Sequence, residues 1–279
     1  MKILITGSNG MLGHDLQEVL ADKHELILTT SKTLDITDKQ HTMDFIFEVK
    51  PDIVINSAAY TDVDGCEENQ DIAYAVNGEG VRNLALACKE VDCALVHVST
   101  DYVFDGTARD PIKEDGKIGP ISIYGKSKLK GEEAILEILD KFFIVRTAWL
   151  YGINGKNFPK TILELAQNHS EITVVYDEVG SPTYTPDLAD GIAKLIETDY
   201  YGIYHLTNSG SCSWCEFARY IFEVAEVDVK VIPVTASEFA RPAPRPSYSV
   251  LDNDNWVKNG FEPLRSYKDA IKEYIELVK

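Results

Sequence analysis

A tyrosine and a lysine four residues apart are the first candidates for chemistry in this 279-residue chain. Tyr124 and Lys128, in "YGKSK", open a segment with helical spacing, so both side chains fall on one helix face. The phenol can donate a proton, and a neighbouring ammonium is expected to lower its pKa by favouring the phenolate. Thr100, in "HVSTDYVFDG", ends a predicted strand, and its hydroxyl can orient a carbonyl oxygen. Together the three side chains predict reduction of a ketone with Tyr124 as the proton donor.

Such a reduction needs a hydride source, and three glycines near the N-terminus predict one. Gly7, Gly10 and Gly13, in "ITGSNGMLG", directly follow a β-branched strand and open a helix. Glycines in that context let backbone N–H groups and a helix N-terminus approach a pyrophosphate. The GxxGxxG spacing therefore predicts a dinucleotide cofactor, with a plain strand–helix turn as the alternative.

The topology of a Rossmann-type site places further cofactor contacts at the carboxyl ends of the next strands. The expected contacts are Thr30, Asp35, Ile36, Ala58, Ala59 and Tyr60. The second strand ends in "LTTSK", without the acidic residue that binds the ribose 2′-hydroxyl of NAD. Lys32 could contact a 2′-phosphate or could simply be solvated, so NADPH and NADH both stay open.

Apolar strands alternate with helical segments through the first half of the chain. The predicted strands are 2–7, 25–30, 52–59, 94–100 and 142–152, and the predicted helices are 11–21, 38–50, about 69–90 and 121–139. Nearly continuous apolar strands between helices are typical of a parallel sheet that is covered on both faces. We therefore predict the α/β class, with a Rossmann-type doubly wound sheet.

The alternation is less regular after residue 152. Short strands are predicted at 172–175 and 202–206, and helices at 186–197, 213–226 and 267–278. The segment 238–249 is too rich in proline for regular structure. We predict a dinucleotide-binding domain over 1–152, to which 186–197 and 202–206 return, and a smaller, mainly substrate-binding part over 153–279.

Composition limits the partners and the compartment. A net charge of −18 and a pI near 4.7 argue against nucleic acid as a partner, because its affinity comes from clustered Lys and Arg. No basic leader and no apolar stretch of about 18 residues is present, which predicts a cytoplasmic protein without a membrane partner. Cys212 and Cys215 have CxxC spacing, but no second pair completes a zinc site, so ordinary packing is favoured over a redox or metal role.

Six motifs carry a family resemblance over the length of the chain. They are "NSAAYTDVD", "VHVSTDYVFDG", "YGKSKLKGE", "RTAWLYG", "GSPTYTPDLAD" and "RPAPRPSYSVLD". With the glycine turn, this set resembles the dTDP-4-dehydrorhamnose reductase family, in the sugar-nucleotide branch of the short-chain dehydrogenase/reductase superfamily. The resemblance implies reduction of dTDP-4-dehydro-β-L-rhamnose at C4 with NADPH or NADH, for the synthesis of cell-surface polysaccharide.

The resemblance also implies roles for particular residues. The catalytic set would be Thr100, Tyr124 and Lys128, and Lys128 would also hold the nicotinamide ribose. Other implied contacts are Asn9 and Met11 to the cofactor, and Asp101, Tyr102 and Trp149 to the substrate. Met11 stands where the family often has a polar residue. Some relatives bind a divalent ion at a dimer interface, but no metal-ligand spacing is recognisable here, so metal dependence and a homodimer stay open.

The diphosphate of such a substrate calls for guanidinium groups, which bind it with paired hydrogen bonds. Arg241 and Arg245 lie in the proline-spaced segment, whose stiffness would limit the entropy lost on binding. Arg245 is the stronger candidate because it belongs to the matched "RP" pair. The alternative is that both arginines are solvated.

Three other functions compete with reduction. A sugar-nucleotide 4,6-dehydratase typically has Asp-Glu directly after the threonine, whereas this chain has Asp101-Tyr102. A 4-epimerase is a weaker alternative. A non-catalytic, cofactor-binding regulatory subunit is the third, but a pure scaffold need not retain Thr100, Tyr124 and Lys128.

Overall fold

The computed structural model describes residues 1–279, which fold around a six-stranded parallel sheet. The strands of the whole chain are β1 (Lys2–Thr6), β2 (Glu25–Leu28), β3 (Ile53–Asn56), β4 (Ala94–Thr100), β5 (Phe142–Thr147), β6 (Leu150–Tyr151), β7 (Glu171–Val175), β8 (Val179–Gly180), β9 (Thr183–Tyr184), β10 (Gly202–His205), β11 (Cys212–Ser213) and β12 (Lys230–Val234). The central sheet has the order β10-β5-β4-β3-β1-β2, and every pairing in it is parallel. The predicted α/β class with a doubly wound sheet is confirmed.

Eleven α-helices connect and cover the strands. They are α1 (Met11–Leu20), α2 (Lys39–Val49), α3 (Val63–Glu68), α4 (Gln70–Tyr74), α5 (Gly80–Val91), α6 (Ile123–Ile138), α7 (Phe158–Ala166), α8 (Thr185–Leu195), α9 (Trp214–Ala225), α10 (Asp254–Lys258) and α11 (Tyr267–Val278). A π-helical turn over Ala75–Glu79 joins α4 to α5, and a 3-10 turn over Asp101–Val103 follows β4. No helix is both long enough and apolar enough to cross a membrane.

Both faces of the central sheet are buried because successive side chains of each strand point to opposite sides. Ile3 and Ile5 of β1 pack in the cluster formed with α1, α8 and Trp256, whereas Leu4 packs in the cluster formed with α2, α5 and α6. All three β1 side chains are fully buried, and each such side chain contributes about 1.5–3 kcal/mol. This two-sided burial makes the sheet a rigid support for the loops at its carboxyl edge.

The strand order places a crevice at the carboxyl ends of β1 and β3. From β1 the chain first adds β2 on one side, then crosses to add β3, β4, β5 and β10 on the other. The loops after β1 and β3 therefore leave the sheet in opposite directions. In open α/β sheets such a point of reversal is where ligands bind.

The C-terminal part has its own core. The parallel strands β7 and β12 pack with α7, α9 and α11 around a cluster that includes Phe217, Ile221 and Ile271. Ser213 begins α9 with a capping box, in which its side chain and that of Glu216 bind each other's backbone N–H groups. In contrast, α8 packs in the cluster on one sheet face, and β10 pairs with β5.

Several elements differ from the sequence prediction. The helix predicted at 69–90 is divided by the π-helical turn, and the strand predicted at 142–152 is broken by Trp149, which has a φ of +49°. The helices α7 and α10 and the strand β12 were not predicted, because each is short and is stabilised by tertiary packing. All five cysteines are buried and unpaired, and no cluster of three or more His, Cys, Asp or Glu is placed to hold a metal ion.

Candidate active site

A two-lobed cleft lies at the carboxyl edge of the central sheet. The wider lobe has a volume of about 720 Å³ and the narrower one about 300 Å³. Gly10, Ser57 and Ala59 line both lobes, so the two form one continuous cleft. The total volume is in the range of pockets that bind small molecules and cofactors.

The glycine turn lets β1, α1 and the end of β3 approach closely. Gly7 has a φ of +67°, and a Cβ at this position would lie 2.7 Å from the backbone nitrogen of Ala58. A Cβ on Gly13 would lie 2.4 Å from the carbonyl oxygen of Gly7. Both glycines are therefore required by the backbone path, and Gly13 supports the turn from behind rather than lining the cleft.

The N-terminus of α1 is open toward the cleft. Gly10 caps this helix in an extended conformation without a side-chain hydrogen bond, and the first turn contains no acidic residue. The first N–H groups of a helix have no partner within the helix and favour an anion. With Asn9 and Met11 also lining the cleft, this end of α1 fits a cofactor pyrophosphate.

The narrower lobe brings together most of the predicted cofactor contacts. Asp35, Ile36, Ala58, Ala59 and Tyr60 all line it. Thr30 does not: its backbone and hydroxyl bind Thr33 and Lys32 within the turn after β2, and Ser31 takes its place in the wall. Sequence reasoning also missed Leu34, Thr37, Ser57 and Val76 as lining residues. Their polar or apolar types carry no motif, so only the fold identifies them.

Thr100 and Tyr124 meet in the wider lobe. Thr100 ends β4, and its hydroxyl donates to Asp101 Oδ1 over 3.0 Å. Tyr124 lies in the first turn of α6, which Ser122 caps. Burial raises the pKa of the Tyr124 phenol, while a hydrogen bond with Thr100 acts in the opposite direction. The charges of Asp101 and Cys66 also raise the pKa, so without a bound cofactor the phenol stays protonated.

Lys128 is almost fully buried on the same helix face. Its Nζ atom donates to the Val98 carbonyl oxygen over 2.7 Å and lies 3.3 Å from Nε2 of His97. Burial lowers the pKa of Lys128 to about 8, although the charge of Glu132 acts to raise it. Lys128 is thus directed toward the end of β4, and it can change its charge near neutral pH.

A buried ion pair fixes the strand ends behind these residues. Arg146 of β5 binds Glu132 of α6 with an Nη2–Oε2 distance of 2.6 Å, and both side chains are at most 3% exposed. Ser99 of β4 donates to the same carboxylate. The network ties α6 to β4 and β5, and so holds Tyr124 and Lys128 at a fixed height above the sheet.

Asp101 and Tyr102 form the neighbouring wall. Burial raises the pKa of Asp101 to about 6, against hydrogen bonds from Ser249 and Thr100 that lower it. Tyr102 packs edge-on against Tyr124, with ring centroids 5.4 Å apart. The carboxyl group of Asp101 therefore stays protonated to a higher pH than that of an exposed aspartate.

Trp149 contributes an apolar wall on the far side of the lobe. Its indole stacks on that of Trp214, with centroids 3.4 Å apart and planes 6° from parallel. Gly180 makes room, since a Cβ there would lie 2.5 Å from the Trp149 ring. Trp149 was predicted from the sequence; Trp214, at the start of α9, was not, because its partner lies 65 positions away in the chain.

Arg245 does not lie among the residues that line the cleft. Its guanidinium binds both oxygens of Asp64 on α3, each over 3.0 Å, and donates to the carbonyl of Ala243. The fork that was expected to bind a diphosphate is thus occupied by a carboxylate of the chain itself. The pair connects α3 to the proline-rich segment.

Comparison with known proteins gives the family. The model of the RmlD substrate binding domain matches residues 1–279. A spore coat polysaccharide biosynthesis protein of Bacillus subtilis is 43% identical over 276 residues, which cover 99% of this chain and 97% of that protein.

Two solved structures are similar over nearly the whole chain. A dTDP-4-dehydrorhamnose reductase of Clostridium acetobutylicum is 48% identical with a TM-score of 0.98, and the match covers 100% of this chain and 99% of that one. The enzyme of the same name from Bacillus anthracis, in complex with NADP, is 44% identical with a TM-score of 0.97 and 99% coverage of both chains. The chain belongs to the dTDP-4-dehydrorhamnose reductase family and is a sugar-nucleotide reductase.

Proposed function

We propose that the protein reduces the C4 ketone of dTDP-4-dehydro-β-L-rhamnose to give dTDP-L-rhamnose, with NADPH or NADH as the reductant, for polysaccharide biosynthesis. One observation carries the proposal: Thr100, Tyr124 and Lys128 line the same cleft as the open N-terminus of α1. The names of similar proteins support the substrate class, and the NADP complex of the Bacillus anthracis enzyme supports the cofactor.

The side chains divide the work of the reduction. When it is bound, the nicotinamide supplies the hydride. The Thr100 hydroxyl would orient the C4 carbonyl oxygen, and Tyr124 would give its phenolic proton to that oxygen. A raised pKa suits this role, because it keeps the phenol protonated until the oxygen becomes basic. Lys128 would hold the nicotinamide ribose and stabilise the phenolate that remains.

Other residues would bind the two ligands. Gly7, Asn9, Gly10 and Met11 would hold the pyrophosphate of the cofactor, and the lobe lined by Asp35, Ile36, Ala58, Ala59 and Tyr60 would hold its adenosine part. Asp101 and Tyr102 would contact the sugar, and the stacked Trp149 would cover its apolar face. In this proposal Arg245 acts through Asp64, by holding the proline-rich segment at the edge of the cleft.

The test is oxidation of NADPH by the purified protein with dTDP-4-dehydro-β-L-rhamnose, followed by absorbance and by identification of the sugar product. We expect stoichiometric formation of dTDP-L-rhamnose. Folded protein that binds NADPH but leaves the absorbance unchanged would instead support the regulatory-subunit alternative. Release of water from a dTDP-hexose without net NADPH oxidation would support a dehydratase.

The structure favours reduction over dehydration at one position. Tyr102 stands where the dehydratase pattern has its glutamate, and its ring packs on Tyr124. No carboxylate other than that of Asp101 lines the wider lobe, so an acid–base pair for elimination of water is missing there.

We also propose that different parts of the chain bind the two ligands. Residues 1–152, with α8 and β10, would bind the dinucleotide, and most of 153–279 would bind the sugar nucleotide. The partner would be a small molecule rather than nucleic acid, as the net charge of −18 supports, and the site of action would be the cytoplasm.

A further inference from the structure

A buried series of hydrogen bonds leads to Lys128 through three side chains that have no direct role in the reduction. It runs from Thr6 on β1 through Asn56 on β3 to His97 on β4, and it ends at Lys128 on α6. All four side chains are at most 2% exposed, so solvent does not compete for these bonds. The donor and the acceptor of each of these hydrogen bonds are therefore determined by the neighbouring protein groups alone.

The orientation of Asn56 can be assigned from its neighbours. Its Oδ1 atom accepts from the backbone N–H of Ala58 over 3.2 Å and from the Thr6 hydroxyl over 2.6 Å. A backbone N–H can only donate, so the oxygen must face Ala58, and the amide nitrogen must face His97. This nitrogen lies 3.0 Å from Nδ1 of His97.

That orientation determines the tautomer of His97. Because Nδ1 accepts from Asn56, the neutral imidazole carries its proton on Nε2. Burial, followed by the charge of Lys128, holds the pKa of His97 well below its ordinary value, so the ring stays neutral. The Nε2–H group therefore faces the Lys128 Nζ atom at 3.3 Å.

An ammonium group has three donors and no acceptor, whereas a neutral amine has a lone pair that accepts from Nε2–H. We propose that His97, held in one tautomer by Asn56, is a positioning residue that penalises the ammonium form of Lys128 and favours its neutral amine. The proposal deepens the proposed function, because it assigns control of the Lys128 charge in the same site.

The other titratable groups near Lys128 do not replace this control. Glu132, one turn further along α6, favours the ammonium, but its carboxylate is already paired with Arg146. Tyr124, on the same helix, stays protonated because burial raises its pKa. Asp101 after β4 and Cys66 on α3 act on the pKa of the Tyr124 phenol.

Asn56→Asp keeps the shape of the side chain, and its carboxylate both reverses the tautomer and adds a negative charge that favours an ammonium. Imidazole nitrogen shifts of the variant, which should show the proton on Nδ1 of His97, separate the first effect from the second. The carboxylate still accepts from Ala58 and Thr6, but it now requires a proton on Nδ1 of His97, which leaves Nε2 free to accept from an ammonium. We expect the pKa of Lys128 to rise from about 8 by about one unit or more. The measurement is an NMR titration of the full-length protein with isotope-labelled lysine.

Turnover provides an independent measurement. Lys128 loses its charge as the pH rises through its pKa, so kcat/KM should fall on the alkaline side, and Asn56→Asp should move that fall upward by the same amount. Thr6→Val is the matched control, because it removes one bond to Asn56 but leaves Ala58 to fix its orientation. The control should keep both the titration and the alkaline fall in place.

The tautomer itself can be read in the unmodified protein from imidazole nitrogen chemical shifts, which makes the proposal independent of how well a variant folds. We expect a proton on Nε2 of His97. A proton on Nδ1, or a Lys128 titration that does not move in folded Asn56→Asp, would overturn the proposal. Absence of turnover with a normal Lys128 titration would instead count against the proposed function alone.

Discussion

At the scale of single residues, Tyr124 offers the most direct test of the chemistry. Tyr124→Phe keeps the ring but removes the proton donor, so kcat should fall about 10²–10⁴-fold while NADPH binding changes little. NADPH oxidation and a fluorescence titration of the cofactor would measure the two effects. Tyr151→Phe is the control, since its buried hydroxyl has no partner and lies outside the cleft. Near-normal turnover of Tyr124→Phe would remove Tyr124 as the acid.

The raised pKa of Asp101 predicts how the stability of the protein depends on pH. Its pKa is raised from 3.8 to about 6, so the folded state binds the proton more tightly than the unfolded state does. The resulting stability is fully present below about pH 4 and is lost as the pH rises through about 6. A shift of this size corresponds to roughly 3 kcal/mol as an upper figure.

Between about pH 4 and pH 7, the free energy of unfolding of the parent protein should therefore fall by about 2–3 kcal/mol more than that of Asp101→Asn. Urea denaturation at the two pH values measures this difference. Asp22→Asn, in the exposed turn after α1, should follow the parent at both values. If the free energy of unfolding changed with pH in the same way for Asp101→Asn and the parent, burial would not raise the pKa of Asp101.

At the scale of elements, the contact between α1 and the turn before it depends on Gly13. A Cβ at this position would lie 2.4 Å from a backbone oxygen, which no side-chain movement can relieve. Gly13→Ala should destabilise the protein by about 1–3 kcal/mol and weaken NADPH binding, because α1 must move away from the turn.

Urea denaturation and NADPH titration would follow these two effects of Gly13→Ala. Gly119→Ala is the matched control: the nearest atom to its new Cβ would be the Cβ of Asp105 at 3.2 Å, a contact that a shift of a few tenths of an ångström relieves. If Gly13→Ala behaved like this control, close packing of α1 would not be what the third glycine provides.

The contact between α3 and the proline-rich segment rests on Asp64 and Arg245. If Arg245 acts by holding that segment, Asp64→Asn and Arg245→Met should each raise the KM for the sugar nucleotide about 10-fold, and the double variant should be no worse than either. Steady-state kinetics of the three variants form the cycle. A large effect of Arg245→Met with a small effect of Asp64→Asn would instead return Arg245 to the diphosphate, as the sequence predicted.

At the scale of the whole molecule, the cleft is lined by the sheet edge and by Lys156, Phe158 and Trp214 of the C-terminal part, so we expect ligands to contact both. A ligand at 100 times its Kd stabilises the folded state by about 2.7 kcal/mol. For a chain of this size we expect a rise in Tm of about 5–10 °C with NADPH, and a further rise with a dTDP-sugar.

A thermal-shift series measures this, with NADH and a UDP-sugar as the matched ligands. NADPH should be at least as effective as NADH, because no acidic residue ends β2. Equal shifts for the dTDP- and UDP-sugars would show that the base is not recognised, and no shift with either cofactor would contradict the assigned cleft.

Local patterns along the chain are enough to specify several features of this protein. The order of strands and helices follows from hydrophobic periodicity, and the glycine turn and the pair Tyr124 and Lys128 follow from fixed spacing along one strand–helix unit or one helix face. Thr100 was found for the same reason, since it ends an apolar strand. These features need only neighbouring residues to specify them.

Other features depend on burial and on partners distant in the chain, which come together only when the protein folds. Trp149 stacks on Trp214, and Arg245 pairs with Asp64, although no motif in the sequence shows that these segments lie close together. The charge of Lys128 is the clearest case. Its pKa is lowered by exclusion of water, a property of the folded interior rather than of any stretch of sequence.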